Sequence, residues 1–171
     1  TSFRFFEASN MIAFLFAILL LPIFSKLLKN NESINEITFI SFKILMALSL
    51  TLFLVCYFFN NEIIQFRYTN GSFQDLDKIL TESSMILPVL MGCFVCVSST
   101  YIFGTLLTAN GNLRHLNYIS LLGVIINVLL NLILIPQYGA FGSALTSLVT
   151  QFSVTIIQIY FCFKFFKLYP F

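Results

Sequence analysis

Apolar runs of twenty or more residues, separated by short polar breaks, constrain this chain more than any other feature. The breaks fall at Lys29-Asn30-Asn31, across residues 60–78, at Asn110-Gly111 and at Pro136-Gln137-Tyr138-Gly139. A helix rises about 1.5 Å per residue, so roughly 20 such residues cross the ~30 Å hydrocarbon layer of a bilayer. Five runs meet that length, with approximate spans at residues 3–28, 34–59, 79–109, 114–135 and 138–163. The expected fold is therefore all-α, a polytopic transmembrane bundle of about five spanning helices.

Composition excludes the soluble alternative. The chain is 58% hydrophobic and 9% charged, whereas a soluble domain is roughly a quarter charged. That little charge cannot cover a water-facing surface of this size, so the apolar excess must face lipid. A net charge of +2, with no basic run interleaved with aromatics, leaves no surface for nucleic acid.

Local signals mark the ends of the runs. Ser33-Ile34-Asn35-Glu36 has the spacing of a capping box, and Asn110-Gly111 reads as a helix C-terminus. Pro22 and Pro88 are expected to bend their helices. Thr69-Asn70-Gly71 signals a turn, and Ser72-Phe73-Gln74-Asp75 another helix start. Pro136-Gln137-Tyr138 is expected to form a very short hairpin.

Basic residues orient the spans. Lys26, Lys29, Arg114, Lys164 and Lys167, with Lys43 nearby, fall on one side, against Arg4, Arg67 and Lys78 on the other. The positive-inside rule makes the first side cytoplasmic.

Polar residues inside the runs carry the functional question, because lipid offers them no hydrogen bonds. Asn117, Ser120, Asn127 and Asn131 share one face of their helix. They either bond another helix or line a water-filled path. Gly139, Gly142, Thr146, Thr150 and Ser153 form a small-residue stripe suited to close helix packing. Ser143, Ser147, Gln151, Thr155 and Gln158 run beside it, with Gln151 near mid-span. Cys93, Thr100, Gly104 and Thr108 repeat the packing pattern on the third run. Lys43 is the one basic residue within a span, and either snorkels to the interface or meets an anionic head group.

Catalytic and metal chemistry find no support in the sequence. His115 is the single histidine, and no HExxH, GxSxG or phosphate loop is present. Cys56, Cys93, Cys96 and Cys162 all lie inside apolar runs, so the Cys93-x-x-Cys96 pair reads as small residues at a helix contact. Neither a cofactor nor a metal is expected.

Two stretches resemble a known family. Residues 105–111, TLLTANG, followed by Arg114, and residues 127–144, NVLLNLILIPQYGAFGSA, resemble the C-terminal half of polysaccharide-biosynthesis membrane proteins. These are the O-antigen and lipid-linked oligosaccharide flippases of the multidrug/oligosaccharidyl-lipid/polysaccharide exporter superfamily. Residues 21–28, LPIFSKLL, are similar to a stretch further upstream in such proteins. Asn112 and Ser143 depart mildly from the family pattern.

The resemblance implies two pseudosymmetric bundles around a cavity of alternating access, with this chain supplying most of the second bundle. Since Thr1 rather than Met opens it, the chain is expected to be a fragment of a longer protein. The implied function is flipping a lipid-linked oligosaccharide, an O-antigen, capsule or exopolysaccharide repeat unit, across the bacterial inner membrane. The implied partners are that glycan, membrane lipids, and a glycan polymerase or other assembly protein. A drug/cation antiporter of the same superfamily and a non-transporting scaffold or subunit are the alternatives. The substrate-path candidates are Lys43, Asn127, Asn131 and Gln151. The packing candidates are Gly104, Gly139, Gly142 and Thr146.

Overall fold

The computed structural model describes residues 2–60, 62–64 and 76–166. Its regular elements among these residues are helices: α1 (Ser2–Lys29), α2 (Asn35–Phe58), α3 (Leu76–Ala109) and α4 (Leu113–Phe166). Each is long and apolar enough to cross a bilayer. The architecture is a polytopic helical bundle. The turn at Thr69-Asn70-Gly71, the helix start at residues 72–75, and Arg67 and Lys167 lie outside the described residues.

The 54 residues of α4 would extend ~81 Å if straight, far more than one crossing needs. Its contacts show instead that it doubles back. Asn127 meets Thr150, a Cβ on Gly123 would meet Val154, and one on Gly142 would meet Leu134. In each pair one number rises as the other falls, the pattern of antiparallel limbs. The reversal is at Gly139, where φ is 56° and ψ is −130°, a conformation open to glycine alone. Thus the hairpin expected at Pro136-Gln137-Tyr138 forms one residue later, because those three residues stay helical. We call residues 113–138 the first limb and residues 140–166 the second.

The other connections are closed by backbone bonds. At the end of α1, Asn31 takes φ 56°, its N–H donates to Leu28 O, and Glu32 N–H donates to Leu27 O. After α3, Gly111 takes φ 76°, with its N–H on Thr108 O and Asn112 N–H on Leu107 O. Both are Schellman closures. The capping box at Ser33–Glu36 does not form. Buried Ile34 is the residue before α2, already has right-handed helical angles, and makes no side-chain cap. The serine is thereby displaced from the capping position, whose usual backbone is extended. Helices α1 and α3 pass through Pro22 and Pro88 as single elements.

Helix α3 is the hub, with half of its apolar span buried against 22%, 17% and 11% for α1, α2 and α4. On it, Ser99 donates to Met46 of α2, while the Tyr101 ring meets Phe14 of α1. Two residues apart on a helix is roughly 200°, so α1 and α2 flank α3 on opposite sides. Phe42 packs on Phe103 and Asn60 reaches Ser84 O, which makes α2 antiparallel to α3. Between the flanking helices, the second limb of α4 lies along α3 through Thr100, Phe103 and Gly104.

This order gathers the basic residues. The α1–α2 turn shares a pocket with Phe165 and Phe166, and His115 packs its ring on Phe161 and Phe165. Lys26, Lys29, Arg114 and Lys164 therefore stand at one end of the bundle, and Arg4 begins α1 at the other.

Candidate functional site

Two adjoining cavities form one groove beside α3. The first, about 360 Å³, lies between α1 and the first limb of α4, with Phe14, Ile18 and Leu21 facing Leu116. Its polar lining is Thr100, Tyr101, Thr105, Thr108 and Ser120. The second, about 380 Å³, continues from Thr100 and Ser120 to Asn127, Thr150 and Gln151. Asn127 lies fourteen residues into α4, roughly 21 Å from the basic end. The groove thus runs from near that end to mid-membrane, and its side chains are uncharged.

A chain of hydrogen bonds sets the polar wall. Asn131 Nδ2 donates to Asn127 Oδ1 at 2.9 Å, and Asn127 Nδ2 to Thr150 Oγ1 at 3.4 Å. The two asparagines therefore tie the limbs of α4 together while Asn127 still faces the cavity. Thr155 Oγ1 lies 2.7 Å from Gln151 O, 3.0 Å from Cys96 O and 2.9 Å from Thr100 Oγ1. The carbonyls only accept, and Thr155 has one proton to share between them. With the Thr155 proton engaged by a carbonyl, the bond between the two hydroxyls is one that Thr100 donates.

The sequence-derived candidates divide. Asn127 and Gln151 share the second cavity, and Asn131 joins them through its bond to Asn127. Lys43 does not join them. It is exposed on α2, on the far side of α3 from the groove, in a stripe with Ile40, Ile44 and Leu50.

The packing residues divide too. A Cβ on Gly142 would lie 2.5 Å from Leu134 O, so the limbs touch there backbone to backbone. Thr146 is fully buried and donates to Gly142 O. Gly104 faces the Gln158 side chain. Gly139 leaves the packing stripe, since among the described residues nothing lies within 4 Å of its Cβ position. Its role is the reversal itself. Gly123 takes a packing place that sequence reasoning missed, with Val154 only 2.8 Å from its Cβ position.

The sequence places Gln158 in the polar stripe with Gln151 but not among the path candidates, and the structure shows it 3% exposed with a buried Oε1 that has no partner among the described residues. Its seven-residue spacing from Gln151 was the available signal. Among the described residues, no three His, Cys, Asp or Glu side chains come together as a metal site. The cysteines are free thiols, and Cys162 donates to Phe103 O.

Residues 8–171 match the family model described as "Lipid II flippase MurJ". Among curated proteins, the chain is 44% identical over 43 residues to "Uncharacterized membrane protein MJ1375" of Methanocaldococcus jannaschii. That match covers 25% of this chain and spans 10% of the relative's length. No solved structure matches the chain.

Proposed function

The chain belongs to the lipid II flippase MurJ family, and from that premise we propose that it forms part of a transporter for lipid-linked glycans. The observation that carries the reading is the largely apolar groove that leads from near the basic end to mid-membrane, set with hydroxyl and amide side chains and, among the described residues, without a carboxylate. A saccharide offers many hydroxyls, each able to exchange hydrogen bonds with Thr, Ser, Asn and Gln. Asn127 and Gln151 are the contacts, and Asn131 holds the Asn127 amide in place. The polyprenyl part of such a substrate stays in lipid. Lys43 belongs to the interface rather than the path, and its ammonium snorkels toward the basic end.

A drug/cation antiporter of the same superfamily would need an acidic residue facing its path, and among the described residues none lines this groove. A scaffold would leave Asn127 and Gln151 as helix glue. The membrane is the bacterial inner membrane, with the basic end cytoplasmic. The cargo is lipid II or a lipid-linked O-antigen or capsule repeat unit, and a glycan polymerase is a fitting partner.

The experiment is flipping of both glycan lipids by the full-length protein in proteoliposomes. Gln151→Leu and Asn127→Leu are expected to lower the rate about 5- to 30-fold, the effect of 1–2 kcal/mol. Lys43→Leu is expected to leave it unchanged. Unaltered flipping by both groove variants would remove the path assignment.

A further inference from the structure

We propose that Gln158 is a second saccharide-binding station on this groove, reached past Gly104. The inference rests on the glycan-transport reading above and adds a residue and a ligand group to it. Along this seam Thr155 bonds Cys96 O and Gln151 O, Thr150 accepts from Asn127, and Cys162 bonds Phe103 O, while Asn131 Oδ1, also without a partner among the described residues, belongs to an amide whose Nδ2 is bonded to Asn127. Gln158 differs. Its side chain is 3% exposed, yet Oε1 accepts no bond.

An amide buried without its hydrogen bond is unfavourable, and an apolar group of similar shape would sit there at least as well. Packing alone therefore gives no reason for a glutamine. Position supplies one. Gly104 lines the first cavity, and its Cβ position is 3.6 Å from Gln158 Oε1 and 3.7 Å from Nε2. Gly104 itself adds no side chain to this wall. Rotation about the three side-chain torsions of Gln158 can carry the amide past Gly104, and Oε1 breaks no bond in turning.

The ligand chemistry follows from the amide as a whole, because neither Oε1 nor Nε2 makes a hydrogen bond among the described residues. The oxygen needs a donor and the nitrogen an acceptor. Sugar hydroxyls offer both, whereas an alkyl chain offers neither and a fully ionised pyrophosphate could meet Nε2 alone. The saccharide is thus the part of a glycan lipid that pairs with both ends of Gln158.

The test uses full-length protein in proteoliposomes with a fluorescent lipid-linked glycan, alongside thermal unfolding. Gln158→Leu is expected to fold with unchanged or higher thermal stability, yet to flip about 5- to 30-fold more slowly. Gly104→Ala adds a methyl at an ordinary contact distance from the amide, so it is expected to fold and to slow flipping by closing the passage. The double variant should be no slower than Gln158→Leu, because both act on one route. Flipping at the wild-type rate by Gln158→Leu, with Gln151→Leu impaired, would overturn the station and leave the transport reading standing. Should Gln158→Leu fail to fold, unimpaired flipping by Gly104→Ala overturns the proposal equally. If the wild-type protein flips no glycan, the reading and the station fall together.

Discussion

Gly142→Ala tests the hairpin most directly, because the structure fixes what the new methyl would meet. Its Cβ would stand 2.5 Å from Leu134 O and 2.8 Å from Leu134 C. Both are backbone atoms inside a helix, so no rotamer change can relieve the clash. An unstrained carbon–oxygen contact needs roughly 3.4 Å, so the limbs must part by about 0.9 Å, with a typical overpacking cost of ~1–3 kcal/mol. The Asn127–Thr150 bond joins the same limbs at 3.4 Å, already near the limit for a hydrogen bond, and should be lost as they separate. The expected destabilisation is therefore about 2–3 kcal/mol. The chain contains no tryptophan, but Cys56, Cys93 and Cys162 are buried free thiols. A thiol-reactive dye followed during heating in detergent reports the unfolding. Gly123→Ala is the milder control, since its Cβ would meet the side-chain methyls Val154 Cγ2 and Thr150 Cγ2 rather than backbone. If Gly142→Ala unfolds within the error of wild type, or no earlier on heating than Gly123→Ala, the close approach at Leu134 is wrong.

Three further outcomes follow from the same contacts. Gly139→Ala places a side chain at φ 56° and ψ −130° in open space, so strain alone should cost ~1–3 kcal/mol, measured in the same thiol assay. Thr155→Val removes the bonds to Cys96 O and Thr100 while keeping the shape, and should destabilise by about 0.6–1.7 kcal/mol. A double-mutant cycle between Asn127→Leu and Thr150→Val should give a coupling near 0.6 kcal/mol, and zero coupling would deny the limb-to-limb bond.

Much of the helical framework was legible beforehand for a simple reason. A spanning helix must be long, apolar and closed by groups that permit a turn, and Asn31 and Gly111 carry that signature locally. Of the candidate residues, the sequence alone could not say which come together. Asn127 and Gln151 stood out because amides are rare among leucines, and they do share a cavity. Lys43 stood out equally and lies across α3 from them. Gln158 was visible in the same polar stripe but not as a path candidate, because nothing in its own run distinguishes a bonded amide from an orphaned one.

The amino-acid sequence by itself determined the solvent, the approximate ends of the helices, which end is basic and where polar groups enter the apolar runs. These depend on hydropathy, helix rise and turn chemistry, which are properties of single segments. Tertiary structure alone decided that α3 is the hub, that α1 and α2 take its opposite sides, and that the limbs of α4 touch at Gly142 and Leu134. The reason is the bilayer. A leucine facing lipid and a leucine facing another helix have nearly the same environment, so hydropathy cannot say which face meets which neighbour. Only the packing of backbones and the pairing of a few amides and hydroxyls distinguish them.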